Sequence, residues 1–275
     1  MSALQGLTLF ITGGTRGIGR AIALRLAREG GNIVLAAKTD TPHPHLPGTL
    51  DSVCAEVKAL GAHALGIKAD VRQPEQIEAA MQQAAEHFGH IDIVINNAGA
   101  IHLAGLEGTS LKQFDLMQAV NERASFIVAQ AALPYLKTSA HPHLLSLSPP
   151  LNLSPAWLGR FAPYTLSKYG MTLLMLGLAE EFRGYGIACN TLWPRTYIAT
   201  SATERFAGES VRGVSRTPEI MADAVLALLQ MHPVPTGKTW LDEELLKLSG
   251  VDDFSGYTFP GSQHDALQLD FYVDD

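Results

Sequence analysis

Short apolar runs, separated for most of the chain by helix-length amphipathic segments, constrain this sequence more than any other feature. The runs are LTLFI (7–11), NIVLAA (32–37), HALGIKA (63–69), IDIVIN (91–96), HLLSLS (143–148), GIACNTL (186–192) and GKTWLD (237–242). Most are continuously hydrophobic rather than alternating, the pattern of strands covered on both faces. Helix-start signals punctuate the segments between them. Pro74 opens PEQIEAAMQQAAEHF, Ser110 and Gln113 have capping-box spacing, and Thr217-Pro218 begins TPEIMADAVLALLQ. Gly30 and Gly31 close the first helical segment, GIGRAIALRLARE. No repeat or linker interrupts the rhythm. It predicts an α/β chain with one Rossmann-like, doubly wound parallel sheet of about seven strands. A single domain spans 1–275, with 243–275 as a C-terminal extension packed on it. Ligands belong beyond the strand C-termini, where three long loops follow strands: 38–50, 149–161 and 194–216.

A sheet covered on both faces needs a large core, and 275 residues at 47% hydrophobic and 17% charged supply one. The net charge of −7, with no Lys/Arg block, gives no footprint for nucleic acid. No apolar run reaches the length of a membrane span, and MSALQGLTLFITGG reads as a first strand rather than a signal peptide. Cys54 and Cys189 fall in a predicted helix and a predicted strand, as core thiols suited to a reducing, cytoplasmic setting. His43/His45 and His141/His143 stand among prolines with no carboxylate or cysteine spacing to complete a site, so no metal is expected.

Directly after the first run comes Thr12-Gly13-Gly14-Thr15-Arg16-Gly17-Ile18-Gly19, leading into a helix. Glycine lets backbone approach a phosphate closely, and the helix start offers unbonded N–H groups. The spacing is G-x-x-x-G-x-G, and its place between strand and helix points to a cradle for a dinucleotide phosphate. Farther on, Tyr164 and Lys168 stand four apart, on one face of a helix.

TGGTRGIG, NNAG at 96–99 and YTLSK at 164–168, in that order, resemble the short-chain dehydrogenase/reductase family. AAKTDTPHPHLPGT, LSPPLNLSPAW, LAEEF and LWPRT extend the likeness to its hydroxysteroid dehydrogenase-like subgroup. The 275 residues are expected to lack the sterol-carrier domain that animal members often carry. The resemblance implies a nicotinamide cofactor held by residues 13–19, with Asp70 beside the adenine and Asn97 of NNAG in the binding set. Asn96 would tie strand backbone near the cofactor; Asp70 and Asn96 could equally be strand-end turn formers. NAD-preferring sites carry an acid at the end of the second strand, where this chain has Ala37 followed by Lys38. With Arg16 beside Gly17, two cations could flank a 2′-phosphate, so NADP(H) is favoured over NAD(H). Solvation of both cations is the bland alternative.

The resemblance makes Tyr164 the proton donor and acceptor. Lys168 would lower its pKa and bind the nicotinamide ribose, and Asn121 would hold a water or simply be a polar helix contact. The family serine falls at Pro149 by strand alignment. Ser148 is one residue early, on the opposite side of a strand, with Asn152 and Ser154 as other donors. Trp157, Phe161, Trp193 and Tyr197 would rim an apolar substrate site or equally pack as an aromatic core, and Arg195 would meet an anion or water. The substrate would be a small apolar alcohol or carbonyl compound. A 3-hydroxyacyl or enoyl thioester enzyme and a weakly catalytic binding protein are the alternatives. A homodimer or homotetramer is implied through helices containing 112–136 and 163–183, with Leu173, Leu174 and Leu178 as surplus apolar surface.

Overall fold

The strands are β1 (Thr8–Thr12), β2 (Asn32–Ala37), β3 (Ala64–Lys68), β4 (Ile93–Asn96), β5 (His143–Ser146), β6 (Ala188–Trp193) and β7 (Lys238–Leu241). All pair in parallel, in the order β3-β2-β1-β4-β5-β6-β7. The computed structural model describes residues 4–38, 40–41, 47–259 and 267–274. The helices are α1 (Gly17–Arg28), α2 (Leu50–Ala59), α3 (Pro74–Phe88), α4 (Leu111–Met117), α5 (Ala124–Leu136), α6 (Pro155–Arg160), α7 (Ala162–Glu181), α8 (Ser201–Ala207), α9 (Glu219–Leu229) and α10 (Asp242–Leu248).

Alternating strand side chains build two cores, one on each face. Leu9, Ile11, Ile33, Leu35 and Ile95 pack against α1, α9 and α10. Phe10, Val34, Ala36, Val94 and Leu144 pack against α3, α5 and α7. A sheet covered in this way has no solvated face, which is why its strands read as unbroken apolar runs. Local signals set the helix ends. Pro74 begins α3, Gly89 closes it at φ 85°, and Ser110 and Gln113 form a reciprocal capping box on α4.

Some boundaries differ from expectation. β5 stops at Ser146 rather than 148: Leu147 N still donates to Asn96 O, but Ser148 N turns back to Ser146 O. Pro149 and Pro150, without N–H groups, cannot extend the ladder. The predicted 149–161 loop contains α6, and 194–216 contains α8 and a 3₁₀ turn at Glu209–Val214. His43 and His45 lie outside the described residues. His143 opens β5, as the run predicts, and burial lowers its imidazole pKa to about 4. Among the described residues no group of three metal-ligating side chains forms, and no helix is long and apolar enough to cross a membrane. Cys54 and Cys189 are buried free thiols. Leu178 is not surplus surface, because it packs in the second core; Leu174 is half-buried there and Leu173 stays 58% exposed.

Candidate active site

β1 lies between β2 and β4, so the chain leaves it in opposite directions and opens a crevice beyond the strand ends. The glycine turn lies in this crevice. Gly13 and Gly17 have φ of 70° and 52°, which side-chain-bearing residues rarely adopt. Gly13, Thr15, Arg16, Gly17 and Ile18 line a cavity of about 570 Å³. Gly14 and Gly19 face away from it. A Cβ on Gly14 would lie 2.6 Å from Leu35, and one on Gly19 would lie 2.5 Å from Asn97 Nδ2 and 2.9 Å from Gly13 O. Asn97 Nδ2 donates to Thr12 O (2.8 Å) and Gly13 O (3.0 Å), fixing the turn against the exit of β4. This tie was expected of Asn96, which instead donates to Ser146 Oγ on β5 (3.3 Å). The reason is strand alternation: neighbouring residues point to opposite sides. Helix α1 opens with no side-chain cap and no acid in its first turn, leaving a helix start suited to an anion. These residues fit the phosphates of a dinucleotide.

At the far side of the turn the cavity wall holds Ala36, Ala37, Lys38, Asp70 and Arg72. No acid ends β2. Lys38 is not merely solvated: its Nζ lies 3.3 Å from Asp70 Oδ2, although 61% of the side chain is exposed. Arg72, which no sequence motif singles out, binds the same carboxylate through NH2 (2.6 Å) and Nε (3.0 and 3.1 Å). Hydrogen bonding from Arg72, followed by Lys38, holds the Asp70 carboxyl well below the usual carboxylate range. Arg16 also lines the cavity, and burial and nearby Arg205 lower its pKa.

The other end is built from side chains. Tyr164 and Lys168 share one face of α7, are both buried, and both line the cavity. Lys168 Nζ donates to Leu147 O (2.7 Å), lies 3.6 Å from Met171 Sδ and stands 5.1 Å from the Trp193 ring centre. Burial lowers its pKa to about 7, partly opposed by Asp270. Burial also raises the Tyr164 phenol well above its ordinary value, with Tyr272 and Asp270 adding to the shift. The expected lowering of the Tyr164 pKa by Lys168 is therefore not what the chain by itself produces. In a dry pocket desolvation favours the neutral form of both groups.

Asn121 is fully buried in a π-helical turn, Gln118–Arg123, between α4 and α5. Such turns concentrate at functional sites. Its side chain accepts from Ala100 N (2.8 Å) and donates to Ala100 O and Ser167 Oγ (2.9 Å each), so it clamps the exit of β4 to α7. Ser148 is fully buried and accepts from Thr172 Oγ1 (3.0 Å); the cavity wall at this point is Leu147. Asn152 donates to Tyr272 O and Asp274, and accepts from Ser154 N, so neither Asn152 nor Ser154 lines the cavity. The Arg195 guanidinium reaches Glu243, with Nε 3.8 Å from the carboxylate, and its backbone N–H donates to Asp242 Oδ1 (2.9 Å).

The segment 267–274 supplies what the sequence did not reveal. Tyr272, at φ 68° and 2% exposed, places its hydroxyl 3.0 Å from Thr165 Oγ1 and its ring 5.1 Å from Tyr169. Trp193 Nε1 donates to Phe271 O (3.0 Å), and Trp157 Nε1 donates to Asp274 Oδ1 (2.8 Å). The rim aromatics Trp157, Phe161, Trp193 and Tyr197 thus close into one cluster around Phe271 and Tyr272. The only hint in the sequence was the aromatic pair Phe271-Tyr272 in a polar stretch.

A family model described as short chain dehydrogenase matches residues 7–209. Hydroxysteroid dehydrogenase-like protein 2 of Danio rerio is 48% identical over 272 residues, 98% of this chain; the chain spans 65% of that relative's length. A crystal structure of a Mycobacterium thermoresistibile short chain dehydrogenase is 46% identical with a TM-score of 0.92, over 98% of this chain and 96% of that one. A Burkholderia cenocepacia short chain dehydrogenase, solved in complex with NADP, is 26% identical with a TM-score of 0.75, over 87% and 97% of the two chains.

Proposed function

Because the chain belongs to the short-chain dehydrogenase family, we propose that it interconverts an apolar alcohol and its ketone or aldehyde with NADP(H). One observation carries this reading: a single cavity runs from the glycine turn at Gly13 and Gly17 to Tyr164 and Lys168. The cofactor, when bound, supplies or accepts a hydride at the carbinol carbon. The turn at residues 13–19 would hold its phosphates, and Arg16 and Lys38, both on the cavity wall, would receive a 2′-phosphate, with Asp70 keeping Lys38 in place. The B. cenocepacia relative's NADP complex and the alanine that ends β2 support the choice of NADP(H).

Tyr164 gives its hydroxyl proton to the carbonyl oxygen in reduction and takes one from the alcohol in oxidation. Lys168 would orient the cofactor ribose and, with the cofactor in place, stabilise Tyr164 when it has lost its proton. Asn121 holds the wall behind them through Ala100 and Ser167. Ser148 acts at one remove, through Thr172 and the turn at Pro149. Trp193 and Tyr272 keep water from the reacting centre. Leu111, Phe126, Leu166 and Leu173 are exposed on α4, α5 and α7, and support a homodimer or homotetramer through those helices. The buried thiols support cytoplasmic residence.

The test is spectrophotometric: NADPH oxidation with a panel of ketones, and NADP reduction with the matching secondary alcohols. Turnover that disappears in Tyr164→Phe, with NADP(H) binding retained, is the expected result. Turnover that survives the substitution would overturn the assignment.

A further inference from the structure

Beside the first cavity lies a second of about 500 Å³, and Ile101 and Ala202 belong to both walls. Its remaining wall is largely aromatic, with Phe161, Tyr197, Phe206 and Phe271, and it also holds Arg160 and Arg205. Among the described residues no aspartate or glutamate lines it, in a chain with a formal net charge of −7. His102, the third basic side chain there, is already engaged: Nε2 bonds Gly108 O (3.0 Å) and Nδ1 bonds Gln113 Nε2 (3.2 Å). That pattern fits a neutral ring that donates through Nε2 and accepts through Nδ1.

The two arginines differ from their neighbours. Arg72 is held by Asp70, Arg195 and Arg216 by Glu243, and Arg212 by Glu204. Arg160 and Arg205 have no carboxylate within 4.0 Å among the described residues. Arg160 instead lies over aromatic faces, 5.3 Å from Phe161 and 5.7 Å from Phe271. Stacking of this kind holds a guanidinium plane in place and leaves its N–H edge free for an anion. Arg205 adds a second positive charge at the junction with the first cavity, close enough to Arg16 to depress its basicity. An aromatic-walled cavity with two guanidinium groups that meet no carboxylate among the described residues is matched by an apolar ligand bearing an anionic end.

We propose that the second cavity receives the distal part of the substrate, and that this part carries an anionic group bound by Arg160 and Arg205. The inference rests on the oxidoreductase reading for the reacting end and narrows the substrate to an acidic amphiphile. Its hydroxyl or carbonyl group reaches Tyr164, and its apolar body passes Ile101. The anion is either a carboxylate or a phosphate ester.

Three twelve-carbon probes test this on the NADP-saturated protein in 150 mM salt, by tryptophan fluorescence: dodecanoate, dodecyl phosphate and dodecanamide. Saturation with NADP keeps the probes out of the phosphate cradle. The expected result is that at least one anionic probe binds about tenfold or more tightly than the neutral amide. Whichever anion binds more tightly identifies the headgroup. Arg160→Gln with Arg205→Gln should reduce the preference to about threefold or less, with amide binding and NADP(H) affinity unchanged. Equal binding of all three probes would overturn the inference, as would a preference that survives the double substitution. An Arg205→Gln variant that loses NADP(H) affinity and keeps anion preference would assign Arg205 to the cofactor, also against it. The two readings fail separately. Turnover of neutral secondary alcohols with no gain from a carboxylate removes only the anion site. An anion preference without any turnover removes only the oxidoreductase assignment.

Discussion

The two ends of the cleft are built from different material. The phosphate end is backbone from one continuous stretch, residues 12–19, held by Asn97 from the next strand of the sheet. The carbonyl end is side chains brought from far apart: Tyr164 and Lys168 on α7, Trp193 at the end of β6, and Asp270, Phe271 and Tyr272 in the segment 267–274. The first needs only a permissive turn and a helix start. The second depends on long-range packing, because burial sets the protonation of both Tyr164 and Lys168. A backbone cradle therefore tolerates changes around it that do not fill space, whereas the catalytic pair responds to its whole dry environment.

That contrast breaks most readily at Tyr164. Tyr164→Phe should lower kcat by about 10²-fold or more while NADP(H) affinity stays level; parallel losses in both would show that the two ends are not separable. Gly19→Ala attacks the other end, since its new methyl meets Asn97 Nδ2 and Gly13 O. Cofactor affinity should fall by about ten- to a hundredfold, the scale of a modest overpacking strain, and calorimetry reads it directly. An unchanged Kd would mean that the turn moves without harm.

Lys38→Asp should weaken NADP(H) by about tenfold or more and leave NAD(H) similar or better. Equal wild-type affinities for the two cofactors would sink the preference outright. Ser148→Ala should lower kcat by about tenfold at most, because its hydroxyl meets Thr172 rather than the cavity. A loss as large as that of Tyr164→Phe would place the serine at the reacting oxygen.

The smallest effect concerns stability at the carbonyl end. Asp242 is fully buried where β7 passes into α10, and its Oδ1 accepts from the N–H groups of Arg195 and Glu243. Burial raises its pKa to about 7. A carboxyl group raised in the fold contributes stability that is complete below its unfolded pKa, about 4. That contribution is lost as pH rises through 7. Asp242→Asn keeps the acceptor and removes the charge, so its Tm should exceed wild type by about 2–4 °C at pH 8 and converge with it at pH 4. Parallel Tm curves across that range would exclude Asp242 as the source of the pH dependence.

Much of this molecule is written locally. Unbroken apolar runs arise because both sheet faces are covered, so the parallel α/β sheet and the crevice beside β1 follow from pattern alone. The glycine turn, the spacing of Tyr164 and Lys168, and the absence of an acid at the end of β2 are likewise properties of adjacent residues. What tertiary structure alone decided is where side chains point and what surrounds them. It tied the turn with Asn97 rather than Asn96, because neighbouring strand residues face opposite sides. It gave Lys38 to Asp70 and added Arg72, left Arg160 and Arg205 without carboxylates among the described residues, and set Tyr272 against α7 from more than a hundred residues away. Local periodicity encodes backbone and burial within a few residues, whereas partner choice and desolvation are summed over every element that closes on a site, and only the folded chain performs that sum.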